Sequence, residues 1–573
     1  MRQEFIGHGA SRGSALGRAR VRLPHALEVA EERIPAKAVE SELKRLRDAI
    51  ATVRGEMHAL RERLHGALAH EVGEFLDLHS LLLDDPELLQ GLDELIRAGR
   101  YTADYALRLQ RDRIASVFES MDDAYFRSRV DDIDQVIGRV HAALHRRDAG
   151  VVGVAGEILV TDNIAPAELA HLQTQGVMAV VTTTGSVLSH SAILARSLHL
   201  PLVVGAAMAL QKINDGDVLS VDGATGRVIV EPDADDLRAH RSRVREIKRE
   251  RKQLHRLRRE PTRTVDGTDI KLYANAESRD DVAEAHALGA AGIGLYRTEF
   301  LFLQRQELPD EEEQFRAYRD VVLGMTGRVV TIRTLDLGAD KADRTGLALR
   351  DEPNPALGLR GVRLSLARDG LLETQLRALV RASGYGPVRV LLPMISAREE
   401  VRTVRQLLTR VIADVRAQGH AVADQIPLGA MIEVPAAAIA LPAFIGAVDF
   451  LSIGTNDLVQ YLLAADRNNE ALTDLYTPLH PAVLRLVHSV IRLANKRGKP
   501  VAVCGEMAGD PHFAPLLLAL GLGEFSLHPT TLLELRHAIR QCDLARLHAA
   551  GPGLLRARDR TAIEAWMREH APA

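Results

Sequence analysis

The chain has 573 residues, room for about four folding units at roughly 150 residues each, or fewer if one is a barrel. Its 73 Lys and Arg against 77 Asp and Glu leave a net charge of −4, without the basic surplus of a general nucleic-acid binder. Two cysteines, Cys504 and Cys542, exclude a disulfide framework and a cysteine zinc site and suit a reducing compartment.

The opening MRQEFIGHGA has no apolar run of signal-peptide length, and the uncharged stretch 434–448 is short and broken by Pro435 and Pro442. A cytoplasmic protein without membrane insertion is expected. Residues 1–22 are Gly-rich with short apolar runs. Residues 23–147 contain almost no Gly or Pro after the first few and read as helix; Leu43, Leu46, Ile50, Val53 and Met57 recur at three- and four-residue steps. Residues 148–232 return to short strands such as EILVTD, VMAVVTTT, LPLVVG and VLSVDG. The similar texture on both sides of the helical block predicts one α/β domain, 1–22 plus 148–232, interrupted by an all-α insert. Residues 233–262 form a basic linker helix in this reading: 237–260 carry 11 Lys and Arg against 3 Glu, while Leu237, Val244, Ile247, Leu254 and Leu257 fall on one stripe. With no basic excess elsewhere, a solvated helix docked along one seam is preferred to a nucleic-acid helix.

From 263 to 573 strands and helices alternate. IKLYANA, AGIGLYRTE, VVTIRTLD, VRVLLPMI, LGAMIEV, DFLSIGTND, PVAVCGEMAG and EFSLHP are eight strand candidates, which predicts a TIM-type (β/α)8 barrel. Most end in polar residues: Asn275, Arg297 with Glu299, Arg333 with Asp336, Glu433, Asn456 with Asp457, and Cys504 with Glu506. Functional groups of this fold gather at the C-terminal strand ends, so these residues are expected at one mouth. Arginine forks beside carboxylates point to a phosphorylated, anionic substrate with a divalent metal. Glu433 and Asp457 are the candidate ligands for Mg²⁺, a hard cation that takes oxygen donors. Each residue alone also fits an ion pair closing the rim; the set on successive strand ends points to a site. Cys504 at such a mouth is a candidate acid for a developing carbanion, and Cys542 reads as packing.

The stretch TTTGSVLSHSAILARSLHLP is a glycine turn followed by a helix starting near Ser189. A phosphate on the His190 ring would meet the positive end of that helix, and a neutral imidazole nitrogen is nucleophilic near pH 7. Spacing alone does not single out His190 among 22 histidines.

Longer motifs do. GAAGIGLYRTEFLFLQRQELPDEEEQF (289–315), TIRTLDLGADK (331–341), NPALGLRGVR (354–363), SIGTNDLVQYLLAADRNN (452–469), CGEMAGD (504–510) and SHSAILARSLHLPLVVG (189–205) resemble bacterial enzyme I of the sugar phosphotransferase system. EFLDLHSLLLDDPEL (74–88) and MDDAYFRSRVDDIDQVIGRV (121–140) resemble that family's helical docking domain. The resemblance implies that His190 accepts the phosphoryl group of phosphoenolpyruvate and passes it to the phosphocarrier protein HPr. It implies that Arg297, Arg333, Arg360 and Arg467 bind phosphate and carboxylate, with Asn456 on the phosphate and Lys341 beside it. It implies Mg²⁺ on Glu433 and Asp457, protonation of the enolate by Cys504, a homodimer formed through the barrel, and a swivel of the His190 domain about its linkers. His79, Leu82 and Leu83, at helical spacing, are the candidate HPr contacts, although such leucines equally suit a bundle core. The chain departs from the family's Gly-Gly-x-Thr-Ser-His at Leu188, which has no hydroxyl, and at SLHPTTL (526–532). A pyruvate–phosphate dikinase would need an ATP-binding domain, and no glycine-rich nucleotide loop is found.

Overall fold

The computed structural model describes residues 2–22, 31–63, 79–80, 82–119, 133–134, 136–141, 143–145, 155–164, 166–187, 189–198, 200–303, 307–338, 352, 354–467, 469, 472 and 474–571. The chain forms two compact units, Met1–Glu250 and Arg251–Ala573. The division falls inside the helix Ala234–Arg256, which carries four of the five stripe residues, with Leu257 in the 3-10 turn that follows; all five are half-buried.

The first unit is built on one eight-stranded sheet. Its strands are β1 (Gln3–Ile6), β2 (His8–Ser11), β3 (Ser14–Val21), β4 (Glu157–Thr161), β5 (Ala179–Thr182), β6 (Leu202–Val204), β7 (Val218–Asp222) and β8 (Arg227–Val230), in the order β1-β8-β7-β3-β4-β5-β6-β2. β3 pairs parallel with β4 and antiparallel with β7, so strands from both ends of the helical block share one sheet. β4, β5 and β6 are parallel neighbours. Every residue of β5 and β6 is buried, the continuous apolar run of strands covered on both faces.

Between β3 and β4 lie the helices Val39–Arg63, Pro86–Arg97 and Ala103–Glu119. Leu43, Leu46, Ile50, Val53 and Met57 are all buried, in one cluster with Leu88, Leu92, Leu95 and Ile96. The apolar step in the sequence is therefore the core stripe of a helical insert. Asp85 stops the chain before the second of these helices by accepting from the Glu87 N–H at 2.7 Å. The same packing holds the candidate HPr contacts in the bundle-core arrangement that the sequence left open beside docking. His79 and Leu83 are 0% and 1% exposed, and Leu82 packs against the same cluster, so hydrophobic burial has drawn this trio inward.

The second unit is a closed, all-parallel barrel of β9 (Lys271–Ala276), β10 (Gly292–Tyr296), β11 (Val329–Arg333), β12 (Val388–Leu392), β13 (Leu428–Ile432), β14 (Phe450–Ile453), β15 (Val501–Val503) and β16 (Glu524–Leu527). β16 closes onto β9 with Leu527 opposite Ala274. Leu295, Leu391, Met431, Phe450 and Cys504 form an interior layer. Gly429 makes room for it, since a Cβ there would lie 2.4 Å from the Phe450 ring. Cys542 is buried in the surrounding core, as packing requires. Among the described residues no helix is long and apolar enough to cross a membrane.

Arg536 pins the end of the linker helix to the barrel. It is 2% exposed and donates to Thr262 Oγ1 at 3.0 Å, to the carbonyls of Leu257 at 2.7 Å and Leu288 at 3.2 Å, and to Gly289 O at 2.8 Å. Burial, with Arg540 and Arg328 nearby, pushes its guanidinium down to about 10. Arg536→Met strips these acceptors of their partner at once. We expect a loss of about 3 kcal/mol in urea unfolding of the barrel, and an unchanged midpoint would refute the pinning role.

Candidate active site at the barrel mouth

Arg333 ends β11, Arg297 follows β10, Glu433 follows β13, Cys504 follows β15, and Asn456 and Asp457 open the helix Thr455–Leu463 after β14. In a parallel barrel all of these are C-terminal strand ends, so the topology brings them to one rim.

Asp336 organises the centre. Its side chain is 2% exposed, lies 3.1 Å from Arg333 Nη1 and accepts from Arg360 Nη2 at 3.1 Å and from Arg360 Nε at 3.3 Å. Burial opposes its charge, but Arg333 and Arg360 outweigh it and hold the carboxyl below its ordinary range. Glu299 braces the other side, accepting from Arg333 Nη2 and from the Asp336 N–H, each at 3.0 Å. Burial works against the charge of Arg333, but Glu299 and Asp336 outweigh it and raise its guanidinium above the ordinary range. Arg360 also reaches the Tyr461 hydroxyl at 3.3 Å. Gly361, at φ +60°, lets the chain turn here; a Cβ would sit 2.8 Å from Met394 Cβ.

Glu433 is 1% exposed and accepts from the Met394 N–H at 2.6 Å. Met394 holds a left-handed φ of +55° to deliver that bond, a conformation costing roughly 1–2 kcal/mol outside glycine. Burial, then Asp336 and Asp457, push Glu433 up to about 8. Asp457 Oδ1 is buried with no hydrogen-bond partner, and Arg360 Nη1 stands 3.8 Å away. A raised carboxyl beside an orphaned carboxylate oxygen is an environment that lacks a cation. Gly454 keeps it open, since a Cβ there would fall 2.8 Å from Glu433 Oε2. Two hard oxygen donors with room beside them fit a divalent ion of the Mg²⁺ type.

Cys504 is 5% exposed, its thiol directed to Ile453 O at 3.5 Å, and burial pushes it up to about 11. Asn456 exchanges hydrogen bonds with Glu506: its Nδ2 donates to Glu506 Oε1 at 3.1 Å, and its Oδ1 accepts from the Glu506 N–H at 3.0 Å. Gly505 is required between them, because a Cβ would lie 1.8 Å from Thr455 Oγ1. A cavity of about 220 Å³ opens here, lined by Thr455, Asn456, Tyr476 and Glu506 among others. A larger groove of about 600 Å³, beside Tyr296, Phe300 and Arg316, contains none of the expected site residues.

Arg297 is more open, with its side chain 43% exposed and Nη1 donating to Glu277. Arg467 is exposed on the rim, in electrostatic range of Tyr476, which burial and then Glu506 push up to about 12 against the pull of Arg467. Lys341 and Leu188 lie outside the described residues. In the first unit His190 begins the helix His190–Ser197, capped by Ser189, whose Oγ accepts from the Ala192 N–H at 3.2 Å. Ser191 Oγ donates to Ile164 O at 2.7 Å, tying this first turn to the loop after β4.

Tyr461 and Glu277 are the supporting residues that the sequence reading passed over. Tyr461 lies inside the motif SIGTNDLVQYLLAADRNN, six residues from Thr455 on the same helix as Asp457, which is the signal that would have found it. Glu277 follows β9 next to the strand-end Asn275.

The matching family models cover most of the chain. They are the PEP-utilising enzyme N-terminal domain over 6–129, the PEP-utilising enzyme mobile domain over 153–226 and the PEP-utilising enzyme PEP-binding domain over 251–544. Among curated proteins, a phosphoenolpyruvate-protein phosphotransferase of Cupriavidus necator is 44% identical over 97% of both chains. One from Bacillus sp. (strain S) is 42% identical over 95% of this chain and 94% of its own. One from Staphylococcus epidermidis is 41% identical over 87% of this chain and 88% of its own.

The raised Glu433 has a measurable consequence. In metal-free buffer the folded chain holds its proton up to about pH 8, whereas the unfolded chain releases it near the ordinary 4.5. The folded state then binds more protons across that window, so this stabilising contribution is complete below about pH 4 and is lost as pH rises through about 8. The unfolding free energy of the wild type minus that of Glu433→Gln is expected to decline between about pH 5 and 8. A flat difference would show that Glu433 is ionised throughout.

Proposed function

The chain belongs to the phosphoenolpyruvate–protein phosphotransferases, and from that premise we propose that it moves the phosphoryl group of phosphoenolpyruvate to its own His190 and on to a histidine of HPr, releasing pyruvate. This is the first step of phosphotransferase sugar uptake, carried out in the cytoplasm by a homodimer joined through the barrel. The proposal also assigns 1–22 plus 148–232 as the phosphohistidine domain, 23–147 as the HPr-docking domain, 233–262 as the linker and 263–573 as the substrate-binding and dimerisation domain. The observation that carries the reading is the mouth itself: buried guanidinium forks clamped by Asp336 beside a cation-deficient carboxylate pair.

Arg333 and Arg360 present preset forks to the phosphate and carboxylate of the substrate, at little cost in reorganisation. Arg297 and Arg467 close from the more exposed side, and Asn456 Nδ2 turns from Glu506 to a phosphate oxygen. Lys341 keeps the place beside the phosphate that the family resemblance implies. Glu433 and Asp457 would hold Mg²⁺, which would supply neutralising charge to the transferring phosphoryl group.

A neutral His190 ring nitrogen attacks phosphorus in line. The bond from phosphorus to the enol oxygen breaks, its electron pair stays on that oxygen, and a nitrogen–phosphorus bond forms. The positive end of the Ser189-capped helix favours the charge arriving there. The enolate carbon takes the proton of Cys504 Sγ to give pyruvate, and the thiolate recovers a proton from water. Burial serves this role, because a thiol pushed up to about 11 stays protonated at neutral pH until a strong base needs it.

Incubation with radiolabelled phosphoenolpyruvate and Mg²⁺ is expected to give one acid-labile, base-stable label per chain that HPr removes. His190→Ala is expected to abolish the label, and label retained in that variant would overturn the assignment. Cys504→Ala is expected to lower pyruvate formation by about 10²–10⁴ while substrate binding stays within a few-fold. Unchanged turnover would remove Cys504 from the proton step.

A further inference from the structure

The helical insert holds a second convergent cluster, distinct from the barrel mouth. Asp104, in the first turn of the helix Ala103–Glu119, directs one carboxylate oxygen at two imidazoles. Its Oδ1 lies 2.7 Å from His145 Nε2 and 3.3 Å from His141 Nε2, and the three atoms all fall within 4.8 Å of one another. The histidines are one turn apart at the end of the helix that runs through 136–141 and 143–144. Their rings meet edge-on with centroids 4.8 Å apart.

The other carboxylate oxygen is separately engaged. Arg45 Nη2 donates to Asp104 Oδ2 at 3.1 Å and reaches Leu144 O at 3.4 Å. Arg45 Nη1 is anchored on Glu42 Oε1 at 2.9 Å, and the same oxygen accepts from the Ala103 N–H at 2.8 Å. This relay fixes the carboxylate plane and reserves Oδ1 for the imidazoles. Outer partners of this kind orient ligating carboxylates and imidazoles in metal sites. Asp104 is 8% exposed, whereas His145 is open to solvent, so one side of the cluster is accessible to an ion and a water.

We propose that Asp104, His141 and His145 form a binding site for a divalent late transition-metal ion, Zn²⁺ by its fit, with water in the fourth position. Ligand bonds of roughly 2.0–2.2 Å around a tetrahedral ion place the ligand atoms a little over 3 Å apart. The Asp104–His141 spacing meets that; the exposed His145 ring has to swing back from Asp104 by about half an ångström, and the two imidazole nitrogens, within 4.8 Å of each other, have to close to the same spacing. Two imidazoles with one carboxylate favour zinc over the hard Mg²⁺, which selects all-oxygen sets. None of the three residues has a part in the proposed phosphoryl transfer. The ion would clip the start of the Ala103–Glu119 helix to the end of the helix that runs through 136–141 and 143–144, a structural role.

The test uses the full, tag-free chain, stripped with chelator and kept in excess Mg²⁺ to suppress zinc at the barrel mouth. Calorimetric titration with Zn²⁺ is expected to show one tight equivalent, and Co²⁺ the intense visible bands of a tetrahedral site. Zn²⁺ is also expected to raise the melting temperature. His141→Gln and His145→Gln should each weaken Zn²⁺ at least about ten-fold, and the double variant should lose the site while labelling with phosphoenolpyruvate as before. Zinc X-ray absorption on the wild type reads the shell without any variant, and two imidazole ligands are expected. A shell lacking imidazole, no stoichiometric uptake, or equal binding by wild type and double variant would overturn the proposal and leave the cluster as histidine–aspartate hydrogen bonds.

Discussion

A single buried carboxylate sets the geometry of the barrel mouth. Asp336 takes Arg333 on one side and Arg360 on the other, so two guanidiniums that would repel are held side by side with their donor forks fixed. Taking such charges out of water is expensive, and their mutual attraction offsets that cost only when the hydrogen bonds are made. Glu299 completes the set by bracing Arg333 and the Asp336 backbone together. Remove Asp336 and both arginines become buried cations with too few partners, so the site loses both its order and its preset charge.

The same bookkeeping of charge explains why the mouth calls for a cation. Glu299, Asp336, Glu433 and Asp457 stand against Arg333 and Arg360 in the buried part of the rim. Glu433 answers by holding on to a proton, and Asp457 keeps an oxygen without a donor. In the proposed reaction a doubly ionised phosphate would add negative charge to this surplus, so substrate and a divalent ion would favour each other's binding. Preset donors and a low-dielectric wall then act on the transferring group without reorganising during the reaction.

Bare backbone is what lets these groups come so close. Gly454 leaves space against Glu433, Gly505 against Thr455, and Gly361 turns the chain after Arg360. In the sequence these glycines read as punctuation within SIGTND, CGEMAG and GLRGVR. Their physical meaning, contact between neighbouring strand-end loops, exists only when the barrel is closed. Met394 works in the same way, spending strain in a left-handed conformation to place one N–H on Glu433.

Local pattern alone was enough for the architecture: eight strand segments with polar ends, the Leu43-to-Met57 stripe, and the helix opening at His190 all follow from residue spacing, because periodicity and capping act over a few residues. The convergence of the polar strand-end residues on one rim was legible in the same way, since a parallel barrel must gather its C-terminal strand ends. Fine selection was not. Whether His79 and Leu83 face a partner or a core depends on which neighbours bury them, and the insert's packing turned them inward. Tyr461 and Glu277 acquire their roles from arginines on other loops, and Asp104 meets His141 and His145 only once two helices are packed. Such long-range encounters carry no local signature, so tertiary structure decided them.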